Sequence, residues 1–350
     1  MSPEAAYAAP DPRAPVAGPR VVGVGTAVPA DAYTQHELVE LWGVTDERAV
    51  GFFLNGGIER RHLTLPEGSV DKRTRHLDLA SRALRAAADD AEVDLADIGQ
   101  LAVVTSSGFM VPGLSAHLVA GLGMDPTAGR VDVVGMGCAA GLNALGPLAA
   151  WAAVHDRPAA LVCVESFSGA FVHDGSLGAA VVNSLFGDGA AAVVLRADDP
   201  PGARGPQLLG FANLLVPDAI DAMRVEWDAS EGRRRFILER DVPRVVEEHA
   251  GGLVDRLLSD HGLTRADIAH WCLHSGGKKV VAAVRRGLAL DSHDMRHTTG
   301  VLRDFGNVSS GSFLFAYERL KREESVASGD YALFMAMGPG TAIEAALLRC

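Results

Sequence analysis

Val131-Asp132-Val133-Val134-Gly135-Met136-Gly137-Cys138-Ala139-Ala140-Gly141-Leu142 is the stretch that decides the fold. It predicts a buried strand that turns sharply on glycines and places Cys138 at the start of a helix, which the apolar spacing of Leu145, Leu148 and Trp151 continues. Free backbone N–H groups and the positive end of the helix dipole are expected to lower the pKa of the thiol below the ~8.5 of a free cysteine. A cysteine is more often a buried structural residue. The glycines around this one, which let a bulky substrate approach the sulfur, favour a nucleophile.

Composition excludes several classes of function. The 350 residues are 48% hydrophobic and include 39 glycines, which is typical of an α/β protein with closely packed helices. A net charge of -12 without a basic block excludes a general affinity for nucleic acid. Four cysteines without metal-ligand spacing predict no metal site and a reducing cytoplasm. No uninterrupted apolar run approaches the ~20 residues that span a membrane, so no membrane location is expected.

The chain divides into a tail and two halves with a similar succession of predicted strands, helices and glycine loops. Residues 1–20 are rich in Ala and Pro and lack the apolar core of a signal peptide, so we expect a mobile N-terminal tail. Asp198-Asp199-Pro200-Pro201-Gly202 is the clearest break in composition. It predicts one half at 21–200, carrying Cys138, and a second at 201–350, with strands, helices and glycine loops in both.

Two polar residues follow predicted strands in the second half. His274 ends the apolar run that starts at Trp271 and precedes a glycine turn, and strand ends are where open α/β sheets gather their sites. Asn307 lies in a Gly/Ser-rich turn before a helix. Taken singly, the histidine is more often structural and the asparagine a turn or cap residue. With Cys138 they form a nucleophile and two hydrogen-bond donors at three strand-helix turns.

Two further segments are candidates for binding. Ser106 to Gly113 follows a predicted buried strand and is a loop of the kind that carries functional residues. Arg60 and Arg61 follow a glycine pair. A solvated surface is the default interpretation of these arginines, and a clamp on phosphates is the alternative.

Five motifs carry a family resemblance: MGCAAGLNAL at 136–145, SLFGDGAA at 184–191, HSGGKK at 274–279, GNVSSGSFLF at 306–315 and MGPG at 337–340. In this order and spacing they resemble the type III polyketide synthases, the chalcone-synthase-like branch of the thiolase superfamily, from about Arg20 to Leu348. The resemblance implies a thiolase-like five-layered αβαβα fold made of two similar halves. It also implies a homodimer, CoA thioesters as substrates and no metal or redox cofactor.

A narrower resemblance suggests the product. FFLNGGIERRHLTLP at 52–66, DAMRVEWD at 221–228 and HTTGVLRDFGNVSSGSFLF at 297–315 are similar to bacterial 3,5-dihydroxyphenylacetyl-CoA synthases of antibiotic pathways. This implies iterative decarboxylative condensation of about four malonyl-CoA units with a malonyl starter, then ring closure, and accessory proteins of the enoyl-CoA hydratase type. The alternatives are an alkylresorcinol or alkylpyrone synthase with an acyl-CoA starter, a ketoacyl-ACP synthase III-like enzyme, and a subunit that only binds acyl-CoA.

The resemblance also implies roles for single residues. Cys138 would take the acyl group as a thioester, while His274 and Asn307 would stabilise the enolate formed when malonyl-CoA loses CO2. Phe186 and Phe236 match gatekeepers between the CoA tunnel and the cavity. The remaining matched positions are Ser309, Ser106, Phe171 and Val111 at the cavity, with a bulky residue near 171 expected to shrink it, and Arg60 and Arg61 as candidates for CoA phosphate contacts.

Overall fold

The computed structural model describes residues 18–65, 71–155, 157–197, 204–229, 233–323 and 326–350. Most of the predicted tail therefore lies outside the described residues, as does the predicted boundary between halves at 200. The last three tail residues are part of the fold, which corrects the prediction. The Pro19 carbonyl accepts a hydrogen bond from the Leu208 N–H at 2.9 Å, and the first strand begins at Arg20.

The described chain alternates strands and helices. The strands are β1 (Arg20–Ala27), β2 (Ala32–Thr34), β3 (Arg60–His62), β4 (Gln100–Val104), β5 (Gly129–Val133), β6 (Ala159–Glu165), β7 (Gly189–Arg196), β8 (Gln207–Leu215), β9 (Met223–Asp228), β10 (Arg233–Leu238), β11 (Ile268–Leu273), β12 (Tyr331–Gly338) and β13 (Ala342–Arg349). The helices are α1 (Gln35–Leu41), α2 (Glu47–Leu54), α3 (Lys72–Asp90), α4 (Leu114–Leu122), α5 (Ala140–Val154), α6 (Leu177–Leu185), α7 (Val242–Ser259), α8 (Lys278–Leu288), α9 (Arg296–Phe305) and α10 (Ser312–Arg322).

Nine strands form one sheet in the order β11-β12-β13-β8-β1-β7-β6-β4-β5. The strands of the two halves are joined through one register pair, Arg20 with Gln207. Each half has the same pairing pattern. A parallel pair, β4 with β6 or β11 with β12, is followed by two antiparallel pairs, β6-β7-β1 or β12-β13-β8. The halves are thus similar in topology, as the sequence predicts.

Three apolar clusters define the layers. Leu84 of α3 packs on the outer face of the first half-sheet. Leu145 of α5 lies in a central cluster that includes α10 and strands of both halves. Leu257 of α7 packs with α8 on the outer face of the second half-sheet. Helix, sheet, helices, sheet and helices give the five-layered αβαβα arrangement that the sequence predicts.

The central layer explains the two most apolar segments. Every residue of β6 is buried, which fits a strand covered by helices on both faces. Gly137–Val154 is the single stretch of the described residues that is long and apolar enough to cross a membrane, and most of it is buried inside the protein. Its side chains pack between the two half-sheets, so this stretch is a core helix.

The strand before Cys138 is exposed, which corrects the prediction of a buried strand. β5 lies at the end of the sheet, and within the described residues it pairs with β4 alone. The apolar side chains of Val131 and Val134 are 46% and 44% exposed. The nearby loop carries Phe109 and Val111, which are 63% and 85% exposed. This edge therefore presents an apolar surface and unpaired backbone groups.

Candidate active site

Cys138 lies in the tight turn that the glycines predict. Gly137 has φ +62°, and a Cβ there would lie 2.3 Å from Pro339 Cδ, so a side chain does not fit at this position. The turn Gly137–Ala139 leads directly into α5. Cys138 is 8% exposed, and its Sγ lies 3.3 Å from the Ser309 Oγ.

Asn307 is fixed by both its backbone and its side chain. Its N–H donates to the Leu185 carbonyl at 2.9 Å and its carbonyl accepts from the Gly187 N–H at 3.0 Å, which forms an isolated parallel bridge between Phe186 and Asn307. The Asn307 Oδ1 accepts from the Ser309 N–H at 2.8 Å. Because a backbone N–H can only donate, this bond fixes the amide orientation and leaves the NH2 group as a donor.

His274 follows the end of β11. Its N–H donates to the Met335 carbonyl at 2.9 Å, and the residue is buried. Burial lowers the pKa of the imidazole to about 4, against a hydrogen-bond contribution from the Ser309 backbone that raises it. Ser309 is therefore the common neighbour of Cys138, Asn307 and His274. The structure brings the three predicted residues together around it.

The pKa of the Cys138 thiol differs from the sequence prediction. Burial raises the pKa of Cys138 to about 12, and the nearby Glu165 adds to the rise, while hydrogen bonds from Ser309 and Asn307 lower it. The backbone N–H at this turn also lowers the pKa, as predicted, but burial outweighs it because a thiolate must lose its water to form there. The predicted net lowering is therefore wrong. These pKa directions favour a neutral thiol and a neutral imidazole. A neutral imidazole can accept the thiol proton.

A buried carboxylate that the sequence analysis missed links two segments beside Cys138 by hydrogen bonds. Glu165 ends β6 and accepts hydrogen bonds from the Ser107 N–H at 3.0 Å, the Ser107 Oγ at 2.7 Å and the Ser310 Oγ at 3.0 Å. His76 Nε2 bonds the same Ser107 hydroxyl at 3.0 Å. Burial raises the pKa of Glu165, while these bonds lower it. The one charge at the end of an otherwise apolar strand is the sequence signal that could have found it.

We expect Glu165→Met to destabilise the fold strongly. Methionine has a similar length but cannot accept the hydrogen bonds that the Ser106 and Ser107 N–H groups donate to Glu165 at 3.1 and 3.0 Å. The part-buried N–H of Ser106 and the buried N–H of Ser107 would lose these partners. The free energy of unfolding in urea should fall by at least about 2 kcal/mol. In the control Glu344→Met only one donor, the Asn143 amide, loses its partner, and equal losses in the two variants would contradict the role given to Glu165.

The two predicted gatekeepers are neighbours. The rings of Phe186 and Phe236 meet edge to face, with centroids 5.8 Å apart, and Phe186 also contacts Phe167 at 4.4 Å. Phe186 is bridged to Asn307, so this aromatic group borders the three predicted catalytic residues. Its gatekeeper role remains a prediction.

The other predicted cavity residues have different surroundings. Ser309 contacts the thiol, and Ser106 has a buried hydroxyl without a hydrogen-bond partner among the described residues. The side chain of Val111 is exposed. The ring of Phe171 packs against Trp42 with centroids 5.6 Å apart. Cavity roles for Val111 and Phe171 remain predictions.

The prediction that Arg61 contacts CoA phosphates is wrong. Adjacent strand residues point to opposite faces, and the alternation in β3 leaves the Arg60 side chain 56% exposed near Asp304 while Arg61 is fully buried. A buried guanidinium cannot reach a phosphate held at the surface. A CoA contact by Arg60 remains a prediction.

Comparisons with known proteins agree with this geometry. The N-terminal domain of chalcone and stilbene synthases matches residues 70–200, and their C-terminal domain matches residues 211–350. The chain is 49% identical to a 3,5-dihydroxyphenylacetyl-CoA synthase of Streptomyces toyocaensis, over 95% of this chain and 90% of that protein. It is 35% identical to a 1,3,6,8-tetrahydroxynaphthalene synthase of Streptomyces peucetius subsp. caesius, over 95% and 93%.

A solved structure gives the same result. The crystal structure of 1,3,6,8-tetrahydroxynaphthalene synthase from Streptomyces coelicolor A3(2), a bacterial type III polyketide synthase, superposes with a TM-score of 0.84 at 27% identity, covering 95% of this chain and 99% of that chain. The matched domains, the relatives and the fold agree with the motifs around Cys138, His274 and Asn307. The chain belongs to the chalcone and stilbene synthase family, the type III polyketide synthases.

Proposed function

We propose that the protein condenses about four malonyl-CoA units, with malonyl-CoA as starter, and closes the product into 3,5-dihydroxyphenylacetyl-CoA or its free acid. The observation that carries the condensing chemistry is the convergence of Cys138, His274 and Asn307 on Ser309. The product is supported by three relatives named 3,5-dihydroxyphenylacetyl-CoA synthase, at 48% to 49% identity. A place in antibiotic biosynthesis is part of the same proposal.

The first step is acyl transfer to Cys138. The sulfur attacks the thioester carbonyl of malonyl-CoA, the bond from that carbon to the CoA sulfur breaks, and CoA leaves as a thiolate. The neutral imidazole of His274 takes the thiol proton and returns it to the leaving CoA. Burial lowers the pKa of His274, so the ring is neutral before the proton is transferred.

The second step forms the carbon nucleophile. The bond between the carboxylate and the methylene carbon of a second malonyl-CoA breaks, CO2 leaves, and the electron pair remains as an enolate. The Asn307 amide and a ring N–H of His274 donate hydrogen bonds to the enolate oxygen. The enolate carbon attacks the Cys138 thioester and the sulfur leaves. The carboxylate of the starter malonyl group must also leave as CO2, its electron pair remaining on the methylene carbon, so that four malonyl units give eight carbons. Every electron pair comes from a bond that breaks, so the proposed reaction needs no redox cofactor, and in this proposal side-chain donors, not a metal, stabilise the enolate.

A homodimer is part of this proposal. The edge strand β5 and the exposed side chains of Val131, Val134, Phe109 and Val111 form an apolar surface at the end of the sheet. Pairing with a second copy would cover it and supply the missing backbone partners. Accessory proteins of the enoyl-CoA hydratase type and a cytoplasmic location remain predictions.

Starter competition tests the proposed function against its rivals. Purified protein is given malonyl-CoA alone, malonyl-CoA with a long-chain acyl-CoA, or malonyl groups on acyl carrier protein, and the products are identified by mass spectrometry. We expect the same aromatic product in the first two mixtures, with no fatty acyl carbon in it. Dependence on the acyl-CoA would favour an alkylresorcinol or alkylpyrone synthase, and dependence on the carrier protein a ketoacyl-ACP synthase.

We expect Gly276→Ala to slow the enzyme without unfolding it. A Cβ at position 276 would lie 3.0 Å from both Nε2 and Cδ2 of His274, so the imidazole must shift. A shift of a catalytic group by a fraction of an ångström lowers kcat for malonyl-CoA decarboxylation by roughly 10-fold to 100-fold. Gly121→Ala is the control, because a Cβ there meets nothing within 4 Å. An unchanged kcat in Gly276→Ala would argue against His274 in this role.

A further inference from the structure

Arg61 is a fully buried cation beside Phe186, the predicted gatekeeper. Its Nη1 donates to the Phe186 carbonyl at 2.7 Å, and its Nε donates to the Gln35 Oε1 at 3.1 Å. Gln35 in turn donates from Nε2 to the Ser184 carbonyl at 2.8 Å. Both carbonyls lie at the C-terminal end of α6, where a helix leaves carbonyl groups without internal partners and favours a cation. Arg61 and Gln35 therefore fix the end of this helix.

The carbonyl that Arg61 holds lies within the bridge to Asn307. The residues on either side of Phe186 are Leu185 and Gly187, and these are the two that exchange backbone hydrogen bonds with Asn307, at 2.9 and 3.0 Å. A second contact comes from the Arg61 stem. A Cβ at Gly306 would lie 2.9 Å from Arg61 Cδ, so the chain just before Asn307 packs directly on this stem. Arg61 thus contacts both segments of the bridge, the one at Phe186 and the one before Asn307.

Burying the charged side chain of Arg61 costs solvation free energy that an apolar side chain would not lose. Its guanidinium lies 5.9 Å from the ring centroids of Trp42, Phe53 and Phe171, and Nη2 has no hydrogen-bond partner among the described residues. Burial lowers the pKa of Arg61 to about 9, while the charge of Asp188 raises it. An apolar residue of similar volume is often at least as stable as a buried charge. The forked donor set has a clearer use in orienting the groups that it binds.

We propose that Arg61 is a positioning residue, which holds the Phe186 carbonyl so that the bridge presents the Asn307 amide and the Phe186 ring to the substrate. This inference rests on the proposed function, because its readout is malonyl-CoA decarboxylation. Arg61 has no contact with Cys138 in this arrangement. Its loss should therefore impair enolate formation and leave acyl transfer to the thiol intact.

Two variants test the proposal. Arg61→Met keeps the stem and removes every donor, whereas Arg61→Lys keeps the charge and can donate to only part of the original set. Loading of Cys138 is followed by rapid-quench mass spectrometry with malonyl-CoA, and decarboxylation by release of acetyl-CoA. We expect kcat for decarboxylation to fall about 10-fold to 100-fold in Arg61→Met, with KM within about twofold and loading unchanged. Arg61→Lys should recover part of kcat.

The control and the temperature separate positioning from general destabilisation. Val254→Ala removes buried volume from α7, on the outer face of the second half-sheet. It should lower the melting temperature without changing kcat. All assays are run where circular dichroism shows the same folded fraction. A wild-type kcat in Arg61→Met, or parallel losses of loading and decarboxylation, would overturn the proposal. If Arg61→Met does not fold, Arg61→Lys decides by the same two rates. Absence of decarboxylation in the wild-type protein would instead refute the proposed function.

Discussion

Cys138→Ala is expected to abolish chain extension and to leave a slow malonyl-CoA decarboxylase. The sulfur that carries the growing acyl group is lost, so extended product should fall by at least about 1000-fold. The groups that stabilise the enolate remain, because Asn307 keeps its bond from the Ser309 N–H and His274 stays at the end of β11. Mass spectrometry of the products should therefore show acetyl-CoA without the aromatic compound.

A second cysteine provides the matched control. Cys163 is also buried, in β6, and has no part in the proposed chemistry. Cys163→Ala should reduce stability through the small cavity that it creates, but the pattern of products should not change. Extended product at the wild-type level from Cys138→Ala would refute the assignment of the nucleophile.

Asn307→Ala is expected to lower kcat for malonyl-CoA decarboxylation by about 100-fold to 1000-fold, because one preorganised donor to the enolate oxygen is removed. Loading of Cys138 should continue, since the proposed acyl transfer uses His274 and not the Asn307 amide. The measurement is acetyl-CoA release together with the mass of the acylated protein. The two rates should separate, with acylated Cys138 accumulating ahead of decarboxylation.

Asn307→Asp tests whether the donor or the turn is needed. Aspartate has the same shape and can still accept from the Ser309 N–H, a bond of 2.8 Å in this structure, but it has no NH2 group and adds a negative charge near the enolate. It should be no more active than Asn307→Ala. Recovery of activity in Asn307→Asp would show that the asparagine acts through the turn alone.

The sequence predicts the central parts of the site because their signals are local. Gly137 before Cys138 marks the tight turn, and the backbone there has φ +62°. The uninterrupted apolar run of β6 requires cover on both faces, which the central and outer layers supply. His274 and Asn307 follow elements whose patterns are clear. Their grouping with Cys138 follows from their places at strand-helix turns and from the family resemblance, whereas the position of Ser309 between them is visible only in the structure.

The parts that sequence reasoning missed depend on distant partners. Local pattern cannot show that β5 is an edge strand, because Val131 and Val134 would look the same with a further strand beside them. Glu165 and Ser310 are 145 residues apart in the chain yet bonded. The antiparallel strands β9 and β10 lie in a charged part of the sequence whose composition is that of a loop. The pKa of Cys138 depends on burial by the whole pocket.

The same limit applies to the adjacent arginines. Arg60 and Arg61 have identical side chains, and only the facing of β3 decides that Arg60 is exposed and Arg61 buried. Arg61 binds the Phe186 carbonyl at the end of α6, 125 residues away in the chain. The sequence next to Arg61 cannot indicate so distant a partner. Reach to a phosphate and support of a backbone carbonyl are both within the chemistry of arginine. The fold selects between them.

The most direct test of the central claim is to incubate the purified protein with uniformly carbon-13-labelled malonyl-CoA alone and compare the products with authentic 3,5-dihydroxyphenylacetate by mass spectrometry. The account predicts an eight-carbon aromatic in which every carbon carries the label, because starter and extender both come from malonyl-CoA. Formation of acetyl-CoA and CO2 alone, or of an aromatic product only after an unlabelled acyl-CoA is added and incorporated, would contradict it.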